Sequence, residues 1–95
     1  MDDYDELIES QEKVLVEEHK VELKDLIIYN DDVNTFEYVI ESLVHICEHS
    51  SIQAEQCTFL IHHKGKCSVK RGEFEELEPM VVAFLDRGIS AKIEG

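Results

Sequence analysis

The stretch from Leu26 to Leu43, LIIYNDDVNTFEYVIESL, decides the fold. An apolar run ends in Asn30-Asp31-Asp32, and a helical spacing begins a few residues later. The left half belongs to VELKDLIIYN (21–30), which alternates and then turns continuously apolar, as a strand with a well-buried end does. The right half continues as NTFEYVIESLVHICEH. There Phe36, Val39, Ile40, Leu43, Val44 and Cys47 recur at three- and four-residue steps and give one apolar helix face. Asn34 followed by Glu37 has the form of a capping box, which predicts Asn34 as the N-cap.

Downstream the same logic repeats. In SSIQAEQCTFLIHHKG (50–65), Ser50 with Gln53 caps a second helix and Gly65 closes it. Ile52, Gln56, Phe59, Leu60 and His63 follow a turn-like spacing and are expected to form its packing stripe. KCSVKR is a short strand, and GEFEELEPMVVAFLDRG is a third helix ending at Gly88. Proline inside a helix removes a donor and clashes with the preceding turn, so this helix is expected to start near Pro79, with EFEELE as an irregular approach. ISAKIE forms a last strand with Ile89, Ala91 and Ile93 on one side. The order β-α-α-β-α-β predicts an α+β domain, three helices packed on one face of a small, mainly antiparallel three-stranded sheet.

A chain of 95 residues supports one domain with a single modest core. Residues 1–24 hold nine acids and three lysines, so residues 1–20 are expected to be a flexible acidic N-terminal extension and 21–95 the core domain. The whole chain carries 22 acidic and 9 basic residues, a net charge of −13. That sign argues against nucleic acid, because binding to a polyanion is driven by basic side chains that displace its condensed cations into solvent. Basic surfaces or cationic groups are the expected partners. No apolar run approaches the ~18 residues of a membrane span, and MDDYDELIES is acidic where a signal peptide is basic, so a cytoplasmic location is expected. Three cysteines, Cys47, Cys57 and Cys67, with no C-x-x-C pair, agree with a reducing compartment.

Asp31 and Asp32 admit four readings: turn chemistry at a strand end, a divalent-metal site, a general acid–base pair, or capture of a cation such as an ammonium beside the apolar wall of Phe36 and Val39. His45 and His49 lie four apart, and with Cys47, His62 and Cys67 they outline a zinc alternative. A zinc site needs three or four convergent ligands, and surface histidines with buried cysteines are the plainer expectation. His62, before a Gly-containing turn, is expected as a half-buried donor at the helix end. No phosphate-cradling glycine loop is present, and nothing in the sequence assembles a catalytic or cofactor site, so a non-enzymatic protein without cofactor or metal is expected.

Together, LIIYNDDVNTFEYVIESL and AEQCTFLIHHKGKC resemble the ClpS family of adaptor proteins for Clp proteases, across most of residues 21–95. The most specific parts are Asn30-Asp31-Asp32, the helix start Phe36-Glu37-Tyr38-Val39, and the A-x-Q…HHKGK helix and turn. The resemblance implies a fold shared with a ribosomal stalk domain and with a region of eukaryotic N-recognin ligases. It implies an adaptor for clients with a free N-terminal Leu, Phe, Tyr or Trp, handed to the N-terminal domain of a ClpA- or ClpC-like AAA+ unfoldase. It further implies that Asn30, Asp31 and His62 contact the client's α-amine, that Phe36, Val39, Ile61 and Ile89 wall the side-chain pocket, and that Asn34 lies at its rim. Asp32 is expected to hold the loop, and Glu75 and Glu78 to take part in unfoldase docking. A monomer is expected.

An α-ammonium offers three donors. A carboxylate, an amide oxygen and a neutral imidazole nitrogen can accept them. The sequence departs from the family at Asn34, Thr35 and Phe36, where Thr, Pro and Met are usual, and at Pro79 and Met80, where Thr and Lys are expected. Two alternatives remain beside the adaptor reading. One is a metal-binding regulatory protein using His45, Cys47, His49 and His62; the other is a structural interaction domain without an amine pocket.

Overall fold

The computed structural model describes residues 21–95, so the expected extension lies outside the described residues. Strand β1 (Lys24–Tyr29) leads into helix α1 (Phe36–Cys47) and helix α2 (Ser51–Lys64). Strand β2 (Lys66–Gly72), helix α3 (Phe74–Asp86) and strand β3 (Ala91–Glu94) follow. The expected order and class hold: β1 lies at the centre of a three-stranded sheet, antiparallel to β2 on one side and β3 on the other.

Residues Leu26 and Ile28 of β1 are fully buried and meet Leu43 of α1, Leu77 and Phe84 of α3, and Ala91 of β3 in one core. Each of these Leu, Ile and Phe side chains contributes roughly 1.5–3 kcal/mol through burial. The register slips once. Leu26 faces Lys70 while Ile27 faces Ser68, leaving Val69 as an extra residue on β2. The Val69 carbonyl lies 2.7 Å from His49 Nε2. A carbonyl only accepts, so Nε2 carries the proton and His49 holds the bulge to the α1–α2 connection. His49 is thus buried rather than at the surface, and it follows α1 instead of sharing that helix with His45.

Three local expectations are corrected. Thr35, not Asn34, caps α1: its Oγ1 accepts from Tyr38 N at 3.1 Å, because the Asn34 amide is engaged elsewhere. Helix α3 starts at Phe74 and runs through Pro79. The fully buried Leu77 anchors its first turns, and the exposed position of Pro79 lets water reach the carbonyl that the ring cannot serve. Helix α2, capped by Ser50 as expected, buries Ala54, Thr58 and Ile61 instead of the stripe through Ile52, Phe59 and Leu60. Small residues allow α2 to lie close to its neighbours. Thr58 satisfies its buried hydroxyl by donating to Ala54 O at 2.7 Å.

Candidate functional site

The loop between β1 and α1 is fixed at both ends by backbone and side-chain bonds. At its start, Asn30 N donates to Gly65 O at 2.9 Å. Gly65 is the left-handed cap of α2, with φ +89 and its own N–H on Ile61 O. This bond sets Asn30 beside the last turn of α2, which carries His62. His62 is exposed there rather than half-buried.

Asp31 organises the middle of the loop. Its Oδ1 accepts from Val33 N at 2.9 Å and Asn34 N at 2.8 Å, and its Oδ2 accepts from Asn34 Nδ2 at 2.7 Å. The loop-holding bonds expected of Asp32 are therefore made by Asp31, and Asp32 is exposed. Burial pushes the Asp31 carboxyl up, but the bonds from Asn34 N, Asn34 Nδ2 and Val33 N outweigh it and hold the group below its ordinary value of 3.8. A carboxylate offers about four acceptor sites, so one site on Oδ2 stays open to a further donor.

At the far end, Asn34 Nδ2 also donates to Gly88 O at 2.9 Å. Gly88 closes α3: its φ is +77, its N–H reaches Leu85 O, and Ile89 N reaches Phe84 O, both at 2.9 Å. This paired pattern places a left-handed residue after the helix and folds the next one, Ile89, back onto the core. The turn is clipped a second time. Tyr38 Oη donates to Arg87 O at 2.9 Å, and Arg87 Nη1 donates to Ser42 Oγ at 3.1 Å. Ser42 Oγ in turn donates to Tyr38 O at 2.8 Å.

The acidic loop therefore lies between the end of α2 and the α3–β3 turn. Val39, Ile61 and Ile89 belong to the core, at 9%, 3% and 1% exposure, and Phe36 is half-buried at the start of α1. Ser42 and Arg87 were not singled out in the sequence; Tyr38 was legible only as part of the helix start and Gly88 only as a helix end. Their pairings join α1 to a turn more than forty residues away, and no local spacing encodes such a contact. Glu75 and Glu78 lie at the opposite end of α3, exposed, roughly 15–20 Å of helix from Gly88. Acids in that first turn also complement the helix dipole.

The cysteine and histidine alternatives gain no common centre. Among the described residues no three His, Cys, Asp or Glu side chains come together as a metal site. Burial pushes the Cys47 and Cys67 thiols up to about 11 and raises that of Cys57, which makes them poor thiolates. Among the described residues no helix is long and apolar enough to cross a membrane.

No curated protein sequence matches the chain. Its backbone is similar to that of Agrobacterium tumefaciens ClpS2 bound to L-phenylalaninamide, with a TM-score of 0.69 at 17% sequence identity. The likeness covers 79% of this chain and 98% of that one. The model of the ATP-dependent Clp protease adaptor protein ClpS matches residues 19–89. With that family model matching residues 19–89, most of the chain, the protein belongs to the ClpS family of Clp protease adaptors.

Proposed function

We propose that this adaptor recognises clients by a free N-terminus carrying a bulky apolar first residue and delivers them to a Clp unfoldase. The observation that carries the reading is the Asp31 carboxylate: three internal donors fix it in place and one acceptor site remains open. Asn30, tied to Gly65, supplies an amide oxygen beside it, and His62 supplies a ring nitrogen from the adjoining turn. An α-ammonium can satisfy all three. Asn34 lies at the rim, and Phe36, Val39, Ile61 and Ile89 form the apolar side that receives the first side chain.

Each ionic hydrogen bond contributes roughly 1.5–3 kcal/mol and burial of a Leu or Phe side chain a similar amount. After the cost of association, this suits affinities around micromolar. Phenylalaninamide, held by the similarly folded ClpS2, has this chemistry: a free α-amine beside a benzyl group. Glu75 and Glu78 on the exposed start of α3 are available to the N-terminal domain of a ClpA- or ClpC-like partner.

Fluorescence anisotropy with labelled peptides tests the reading. Peptides beginning with free Phe or Leu bind, and the same peptides acetylated at the N-terminus do not. Equal binding of free and acetylated forms would reject the amine site.

A further inference from the structure

Helix α2 turns the large apolar residues of its sequence outward. Ile52, Phe59 and Leu60 are 71%, 54% and 42% exposed, and with Phe36, Glu55 and Gln56 they line a trough of about 560 Å³ between α2 and the start of α1. Contiguous exposed apolar surface of this kind often marks a binding groove. We propose that it receives the apolar side chains at the second and third positions of the client, a reading that rests on the amine site above.

Two relationships point to that occupant. Phe36 belongs to both places: it borders the trough and also stands at the start of α1, just beyond the Asp31 loop. On the other flank the Phe59 ring lies 4.0 Å from that of His63, which lies 5.6 Å edge-on to His62. A nearly unbroken aromatic surface thus runs from His62 to the trough. An extended chain advances about 3.3 Å per residue, so the second and third residues follow the first within about 7–10 Å.

A second copy of the chain is a poorer fit, because a stable interface uses about 20–30 residues a side and this trough has six. The one charged wall, Glu55, makes an acidic segment a poor occupant as well.

The test compares two peptides of equal length and charge, each with free N-terminal Phe, one with Leu and the other with Ser at positions two and three. Anisotropy is measured on the full chain and on an Ile52→Ser/Phe59→Ser variant; both positions are exposed, so folding is retained. The Leu peptide is expected to bind the native chain about tenfold tighter than the Ser peptide, and the variant is expected to bind both like the Ser peptide. Equal binding by the native chain, or a preference that survives in the variant, overturns the inference and leaves the amine site standing. If neither peptide binds the native chain, the amine site fails and this inference with it. Sedimentation of the native chain as a dimer that the variant dissociates would assign the trough to a second copy and overturn the proposal.

Discussion

Asn34 and Gly88, 54 residues apart in the chain, meet through one hydrogen bond of 2.9 Å from the side-chain amide to the backbone carbonyl. The other proton of the same amide is available to Asp31 Oδ2 at 2.7 Å. One side chain therefore couples the acidic loop to the turn that presents Ile89. The proposed charge-binding corner and the apolar wall share a single positioning residue.

Replacing that residue should disturb both. Asn34→Ala removes two side-chain bonds and leaves the Gly88 carbonyl to water. A loss of about 1–2 kcal/mol in urea unfolding is expected, with a fall in affinity for a Phe-starting peptide of tenfold or more. A variant with lowered stability and intact binding would show that Asn34 supports the fold alone.

Asp31→Asn tests the charge while keeping two of the three bonds that hold the loop. The new amide oxygen can still accept from Val33 N and Asn34 N, but its NH₂ opposes that of Asn34 and the negative charge is gone. Loss of a charge-assisted bond predicts weaker peptide binding on the order of 10–100-fold, read by anisotropy. Unchanged affinity would remove Asp31 from the site.

The pH dependence should have two separate origins. A client α-amine titrates near ~8, so binding is expected to weaken as pH rises through that value and the ammonium is lost. Stability responds at the acid end. The folded-state pKa of Asp31 is depressed, so its contribution is fully present above about pH 5 and is lost as pH falls through the folded value, below 3.8. Urea midpoints measured from pH 6 to pH 3 should fall in the native chain, and this component should be missing in Asp31→Asn.

Gly88→Ala probes the turn without adding a clash, since no atom lies within 4 Å of the position a Cβ would take. The cost is backbone strain at φ +77, about 1–2 kcal/mol. Thermal unfolding should show a lower Tm by several degrees, on the order of 4–8 °C per kcal/mol for a domain of this size. A neutral Tm would mean that the turn adjusts freely, and Ile89 would lose its fixed position.

Pro79→Ala should do the opposite. It restores an N–H within α3, on an exposed face, and a gain of about 1–2 kcal/mol is expected after the lost restraint on the unfolded chain is subtracted. Peptide affinity should not move, because Pro79 sits mid-helix on an exposed face, away from the Gly88 turn. An unchanged urea midpoint would show that the helix already accommodates the ring at no cost.

The order of elements, the antiparallel sheet, the Ser50 cap and the Gly65 and Gly88 helix ends were legible in the residues, because hydrophobic period and cap chemistry act over three to eight neighbours. The ClpS resemblance was legible for a similar reason: each of its two stretches, 26–43 and 54–67, is contiguous. The face of α2, the start of α3 and the cap of α1 were not. Burial of Ala54, Thr58 and Ile61 over Ile52 and Phe59 depends on how closely α2 approaches its neighbours. Leu77 overrides Pro79 only because a core exists to receive it. Asn34 yields the cap to Thr35 because Gly88, remote in sequence, claims its amide. Local patterns thus determined which elements form. Tertiary structure alone decided which faces they bury and which side chains the loop shares, since those choices are set by partners that only folding brings within hydrogen-bond or packing distance.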